Sequence, residues 1–335
     1  MKYLTHSSLA FLALTLSVFL FSPTDTRAQG SFAGMWTLEV EDGAVGWLEV
    51  HNKNGYLDAN LLWKGGSVVP VANVYQVDEN NLVVTRTQTV DRSDDRQHTV
   101  TQTFQFKKSG DKLKGTATFP KRDGSGVNTE KFKGWKLPPV PPAPDLSKVK
   151  YGTPIDLFNG KDLSGWRLIN PNDKNGFKVE NGVLVNDPVH TEGQRVHYGN
   201  IRTDAVFEDF NLKLEVNVPE GNNSGVYLRG MYEVQVFDSY GREVDSHNMG
   251  AVYSRITPTM AAEKPGGQWQ SLDITLCDRH VTVKLNGKTI IDNQPVYGPT
   301  GGAIIADVFK PGPIYLQGDH GKVSYRNMVL TPILK

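Results

Sequence analysis

Phe210-Asn211-Leu212-Lys213-Leu214-Glu215-Val216-Asn217-Val218 puts an apolar residue at every even position and a polar one at each odd position from Asn211 to Asn217. A period of two is what a strand requires when one face packs on a core and the other meets water. Further on, His280-Val281-Thr282-Val283-Lys284-Leu285 and Lys288-Thr289-Ile290-Ile291 flank Asn286-Gly287. That dipeptide between apolar runs is the strongest short-range signal for a hairpin with a type I′ turn, because both turn positions need positive φ. The expectation for this half of the chain is an all-β, two-sheet antiparallel sandwich.

Working backwards, Pro138 to Pro144 holds five prolines. Such a run favours extended polyproline backbone and cannot continue a ladder of strand hydrogen bonds. It is read as a linker over 138–150 between a domain at 29–137 and one at 151–335. The first of these contains short β-branched or alternating segments, Gly34–Val40, Trp47–Val50, Tyr56–Leu61, Leu82–Thr85 and Thr99–Phe106, separated by Gly, Asn and Asp. No stretch of it keeps a helical period, so a small up-and-down antiparallel barrel is expected. The Gly34-x-Trp36 opening resembles the start of lipocalin-like barrels, in which a tryptophan closes one end. Trp36, Trp47, Trp63 and Trp135 are read as packing residues.

At the N-terminus Lys2 precedes an apolar run, Leu9 to Phe21, that is short for a bilayer span, and Thr26-Arg27-Ala28 supplies a small-residue cleavage site. Residues 1–28 therefore read as a signal peptide. A periplasmic or secreted location follows, with no stable membrane span after cleavage. A lipoprotein anchor would need a cysteine after the apolar run, and the single cysteine of the chain is Cys277. One thiol permits no internal disulfide, so the folded cores alone must hold the protein together. Cys277 itself, where a strand ends, reads as a small packed residue. Thirty-six basic residues balance thirty-six acidic ones, which gives no electrostatic footprint for nucleic acid.

The C-terminal half carries a series of motifs in order: Ile155-Asp156-Leu157-Phe158-Asn159-Gly160-Lys161-Asp162-Leu163-Ser164-Gly165-Trp166, Asn223 to Gly230, Tyr232 to Asp238, the Asn286-Gly287 hairpin, and Gly312 to Gly321 followed by Tyr325-Arg326-Asn327. Together they resemble the 3-keto-disaccharide hydrolase family. The resemblance implies a concanavalin-like jelly roll, a site on its concave face and activity on 3-keto-glycosides. Gly318 interrupts what is usually a direct Gln-Asp-His-Gly run, and an unusual polar stretch follows Asp238.

The residues point to a site independently. Val226 and Leu228 must share a buried face, as must Val234 and Val236. A three-residue loop, Gly230-Met231-Tyr232, meets this requirement with Arg229 opposite Glu233. Tyr227, Arg229, Glu233 and Gln235 would then form one polar patch suited to a sugar. Asn223, Asp238, Gln317 and Asp319 are further candidates for binding. His320, in a Gly-bounded loop, is the candidate second proton carrier. His190, His197 and His247 lie in polar connections, and Asp245-Ser246-His247 leaves a divalent metal ligand open. Glu233-x-Gln235-x-x-Asp238 also resembles the carboxylate strand of jelly-roll glucanases, although strand parity puts Asp238 on the opposite face unless a bulge intervenes.

A ketone at C3 of a sugar acidifies the hydrogen on C2, so one base can start an elimination. Glu233 is assigned as that base, Arg229 or a metal as the oxyanion stabiliser, and His320 as the acid. The competing readings are a two-carboxylate glycosidase, a lectin-like module that binds a glycan without turnover, and an envelope scaffold that binds no sugar. The leader reading makes a prediction of its own: the exported protein begins at Gln29, and its intact mass is the check.

Overall fold

The computed structural model describes residues 31–91, 97–189 and 196–334. The leader and its cleavage site lie outside them, as does His190. Among the described residues no helix is long and apolar enough to cross a membrane.

The first unit is a nine-stranded antiparallel sheet: β1 (Gly34–Val40), β2 (Val45–Lys53), β3 (Tyr56–Trp63), β4 (Val69–Pro70), β5 (Asn73–Asp78), β6 (Asn81–Asp91), β7 (Gln97–Ser109), β8 (Lys112–Pro120) and β9 (Val127–Lys136). The spatial order is β4-β3-β2-β1-β9-β8-β7-β6-β5. Its two ends are consecutive in sequence. Val71 N–H donates to Ala59 of β3 and Ala72 N–H to Thr85 of β6, so the chain segment linking β4 to β5 spans both edges and draws the sheet into a barrel. The interior is filled by aromatic rings: Trp63 lies 5.0 Å from Phe104 and 5.4 Å from Phe132, and Phe106 lies 5.1 Å from Phe132. Trp36 is fully buried and its indole donates to Phe32 O at 2.8 Å.

The second unit comprises β10 (Lys150–Tyr151), β11 (Ile155–Asp156), β12 (Trp166–Leu168), β13 (Phe177–Glu180), β14 (Val183–Asn186), β15 (Ile201–Thr203), β16 (Phe210–Asn217), β17 (Asn223–Leu228), β18 (Tyr232–Phe237), β19 (Trp269–Cys277), β20 (His280–Leu285), β21 (Lys288–Pro295), β22 (Tyr315–Leu316) and β23 (Val323–Leu334). One sheet runs β13-β14-β23-β16-β19-β20-β21, with β10 and β11 also on β23, and the other runs β12-β15-β22-β17-β18. The alternation in β16 does what a half-buried strand should: Phe210, Leu212, Leu214 and Val216 are buried, and Lys213 is exposed. Asn286 and Gly287 turn the β20–β21 hairpin with φ of 51° and 81°. Cys277 is buried.

The proline-rich stretch is docked rather than free. Arg279 Nη1 reaches the carbonyls of Pro138 and Pro139 at 3.3 and 3.4 Å, and Asn293 Nδ2 donates to Pro144 O at 2.9 Å. The cores also meet directly. Trp47, Leu62 and Leu137 belong to the same hydrophobic cluster as the sandwich interior. Arg255 stacks on the Trp47 ring, 4.0 Å from its centroid, while donating to Pro299 O at 2.6 Å. Gly298 lets the indole in, since a Cβ there would lie 2.4 Å from Trp47 Nε1. Among the four tryptophans of the barrel half, then, Trp36 and Trp63 pack inside it and Trp47 faces the sandwich. The half-buried Trp135 packs against the small cluster of Val45, Ala303 and Ala306. Truncating Trp47 to alanine is expected to cost about 3–5 kcal/mol, the range for emptying a buried aromatic site. Urea unfolding followed by intrinsic fluorescence measures it, with the loss appearing in both units rather than in the barrel alone.

Candidate active site

The site begins with the β17–β18 hairpin. Its register pairs Tyr227 with Glu233, Gly225 with Gln235 and Leu228 with Tyr232. The expected pairing of Arg229 with Glu233 is therefore corrected by two residues. Burial parity demands only that Val226, Leu228, Val234 and Val236 share a face, and both registers meet that demand. The turn decides between them. Arg229 and Gly230 take φ of 55° and 64°, and Met231 N–H donates to Leu228 O at 3.0 Å, so the loop is Arg229-Gly230-Met231. Arg229 thus leaves the polar face altogether. Its guanidinium is buried elsewhere and donates to Val308 O and Lys310 O at 2.8 and 2.6 Å.

What remains on the hairpin's polar face is Asn223, Gly225, Tyr227, Glu233 and Gln235. Neighbouring β22 adds Tyr315, paired with Tyr227, and the chain continues through Gln317 to Asp319 and His320. The two phenol rings stack at 3.7 Å and 13°. Asn223, Tyr227, Glu233, Gln235, Tyr315, Gln317, Asp319 and His320 line one cavity of about 230 Å³, closed further by Asn200, Tyr253, Gly301 and Gly302, and by Gly65 and Gly66 from the barrel. A larger depression of about 860 Å³ over the barrel strands is lined by Lys107, Lys114, Lys131 and Lys133 and includes no histidine.

Glu233 is only 4 % exposed. Gly225 makes room for it, because a Cβ at that position would lie 2.2 Å from Glu233 Oε1. Tyr227 Oη sits 2.8 Å from both Glu233 Oε2 and Gly301 O. A phenol has one proton to give. If it goes to Gly301 O, the proton in the other contact belongs to Glu233. The electrostatics agree: burial raises the Glu233 carboxyl to about 8, against the opposing pull of the Tyr227 hydroxyl and the His320 charge. The Gln235 amide lies 3.2 Å from both Glu233 Oε1 and Asn223 Oδ1, so its NH₂ donates to Asn223 Oδ1 in one orientation and to Glu233 Oε1 in the other.

His320 Nδ1 is 2.8 Å from Asp319 Oδ1. That hydrogen bond raises the imidazole above its ordinary value in spite of partial burial. For Asp319 burial pushes upward, but the hydrogen bond and charge of His320 prevail and the carboxyl lies below its usual range. Gln317 Oε1 is buried without a partner among the described residues, an acceptor left for a ligand.

Asp238 is not among the lining residues, which corrects its assignment to the sugar site. Its Oδ2 accepts Gly221 N–H at 2.9 Å and ties down the loop before β17. His197 pairs loosely with Asp173 at 3.5 Å on the surface. His247 has both ring nitrogens engaged, by Asp245 and by Ser67 Oγ, so it does not serve the cavity. Among the described residues, the group with ligand atoms close enough for a metal is Asp209, Cys277 and Asp278, away from Glu233. Tyr315, Asn200 and Tyr253 were missed in the sequence. Tyr315 stood inside the Gly312–Gly321 motif, but Asn200 and Tyr253 lie in connections with no pattern to single them out.

The fold is thus a β-sandwich with a buried carboxyl and a histidine–aspartate pair lining one cavity on a face of its five-stranded sheet. Residues 153–331 match the model of the 3-keto-alpha-glucoside-1,2-lyase-like domain, more than half of the chain, and the chain belongs to that family. Two solved structures similar to it are putative glycosyl hydrolases from Parabacteroides distasonis ATCC 8503. One is 24% identical, covering 54% of this chain and 94% of that one at a TM-score of 0.45. The other is 30% identical, covering 58% and 92% at a TM-score of 0.43. A carbohydrate-binding module, CBM66 from Bacillus subtilis, is 13% identical over 49% of this chain and 93% of its own, at a TM-score of 0.31. No curated protein matches the chain significantly.

The raised Glu233 pKa also bears on stability. In the unfolded chain this carboxyl ionises near its ordinary value of 4.5, in the folded one at about 8. The neutral form therefore favours folding, fully below the unfolded value and progressively less as pH rises through 8. Glu233→Gln is expected to match the native protein in thermal midpoint at pH 5 and to exceed it at pH 9, as calorimetry at the two pH values will show.

Proposed function

We propose that this cavity cleaves 3-keto-glycosides by elimination followed by hydration. The observation that carries the reading is that, among the described residues, the cavity offers one buried carboxyl without an ion-pair partner, Glu233, while its other acid, Asp319, is taken up by His320. An ordinary glycosidase needs two carboxyl groups opposed across the scissile bond. Asp238, the residue that would have supplied the second, is tied to Gly221. A C3 ketone removes the need for it.

In the proposed sequence ionised Glu233 takes the C2 proton and the electron pair moves to the C3 oxygen as an enolate. Collapse of the enolate breaks the C1–O bond, and His320 Nε2–H protonates the departing oxygen. Water then adds across the C1–C2 double bond: its hydroxyl goes to C1 and its proton to the neutral His320, while Glu233, whose proton exchanges with solvent, returns a proton to C2, which yields the free 3-keto sugar and an alcohol and restores both groups. With Arg229 facing elsewhere, stabilisation of the enolate oxygen falls to neutral amides. Asn200 is suited, since Gly318 N–H occupies its Oδ1 at 2.7 Å and its NH₂ has no partner among the described residues. Stacked Tyr227 and Tyr315 form the apolar floor under the ring. The leader read at residues 1–28 would place this activity in the periplasm or outside the cell.

Because the base must be ionised, kcat/KM should rise with pH toward about 8, the value burial sets for Glu233. Release of the leaving sugar from a 3-keto-disaccharide and from the same disaccharide unoxidised is the decisive comparison. The keto form is expected to react, with deuterium entering C2 from heavy water, and the unoxidised form to be inert. Glu233→Gln should lower kcat by about 10²–10⁴-fold, the span of general-base contributions. Equal cleavage of the two disaccharides would overturn the elimination route, and binding of either without turnover would favour a lectin-like module.

A further inference from the structure

The loop between β3 and β4 leaves the barrel and crosses onto the sandwich beside Glu233. Lys64 starts it with φ of 62°, its ammonium held by Asp42 and Glu130 of the barrel at 2.6 and 2.7 Å. Gly302 N–H donates to Lys64 O at 2.9 Å, and Val68 N–H donates to Ser254 Oγ at 2.9 Å. Between these two anchors Ser67 Oγ meets His247 Nε2 at 2.9 Å. Gly66 packs so closely on Gly301 that a Cβ on Gly301 would lie 2.1 Å from Gly66 O. Gly301 and Gly302 are the residues whose carbonyls receive the hydroxyls of Tyr227 and Tyr315. The loop is therefore fastened to the same segment that holds the two tyrosines of the site.

Gly65 and Gly66 themselves line the cavity. For Gly65 the fold gives no reason to be glycine: its φ is outside the left-handed region and an added Cβ would meet no atom within 4 Å. A missing side chain with room around it, at the edge of a ligand cavity, is room kept for the ligand. With about 230 Å³, below the roughly 300 Å³ at which drug-sized pockets begin, the cavity suits one sugar ring. Any narrowing from the barrel side would be felt.

We propose that the barrel is part of the sugar site: the Lys64–Ser67 loop is a wall that the bound sugar touches, and the bare Gly65-Gly66 peptide sets the space beside Glu233. The barrel then acts as a specificity element for the sandwich, and the reading rests on the sugar-cleaving function proposed above.

The test uses the full chain. Because Cys277 is buried, Gly65→Cys introduces the accessible thiol, and its rate of reaction with a maleimide is followed with and without saturating 3-keto-glucose, a free sugar of the kind the proposed cleavage releases. Slowing of about five-fold or more is expected, with no slowing for Ser125→Cys on the exposed β8–β9 turn; a wall contact worth a factor of this size is ordinary for a pocket. A Gly65→Cys rate unchanged by the sugar overturns the proposal. Gly65→Phe should in addition keep the native thermal midpoint while kcat/KM on a 3-keto-disaccharide falls about ten-fold or more. An unaltered kcat/KM in this folded variant likewise overturns the wall. Turnover by the unsubstituted protein separates the two failures, since the function stands if it cleaves the 3-keto-disaccharide and falls if it does not.

Discussion

The carboxyl group of Glu233 has been taken out of water, and much of the second unit can be read as what that requires. Burying an ionised carboxylate without a charged partner is far too costly, so the group holds its proton to about pH 8 and its neighbours are neutral hydrogen-bonding groups. Tyr227 and Gln235 supply those contacts, and Gly225 supplies the volume. His320, the cation of the cavity among the described residues, has Asp319 as its own counter-charge. Had Arg229 lain beside Glu233, the acid would have been an ionised, structural partner in an ion pair. Turning the arginine away leaves the carboxyl without an ion-pair partner, as the proposed role of a base requires.

The two units are joined by the same economy of space. Trp47 and Leu62 leave the barrel to enter the sandwich core, and glycines at 298 and 301 permit the approach. Such a contact is apolar at its centre and hydrogen-bonded at its edge, from Arg255 on Trp47 to Ser67 on His247. It resembles a cut through one core more than a hinge between two. Because the loop at Gly65 and Gly66 is fixed by this interface, the cavity inherits a rigid wall from a unit that the family match at 153–331 does not include.

Much of this was legible in the chain itself. The alternation at Phe210–Val218, the Asn286-Gly287 turn and the absence of helical periodicity led to a sandwich and a barrel, because side-chain period and turn chemistry are local properties. Glu233, Tyr227, Gln235, Gln317, Asp319 and His320 were found from strand parity and ordered motifs, and the fold does bring them to one cavity. Parity then reached its limit. It assigns a face and leaves the register free by steps of two, so Arg229 was placed one pair too far along. Only the left-handed pair Arg229-Gly230 resolves it. Asp238 failed for a related reason: its chemistry fitted a catalytic strand, but its Oδ2 was claimed by the distant Gly221.

The sequence by itself determined the strands, the all-β character of both halves, and the kinds of group available for acid–base chemistry. These follow from periods, turn dipeptides and residue types that act within a few positions of one another. The tertiary structure alone decided that Glu233 is buried and protonated near neutrality, that Arg229 serves the carbonyls of Val308 and Lys310, and that Gly65 and Gly66 of the barrel border the site. Desolvation and steric access depend on every element packed around a group. No local pattern carries that information, because the atoms responsible lie tens to hundreds of residues away in the chain.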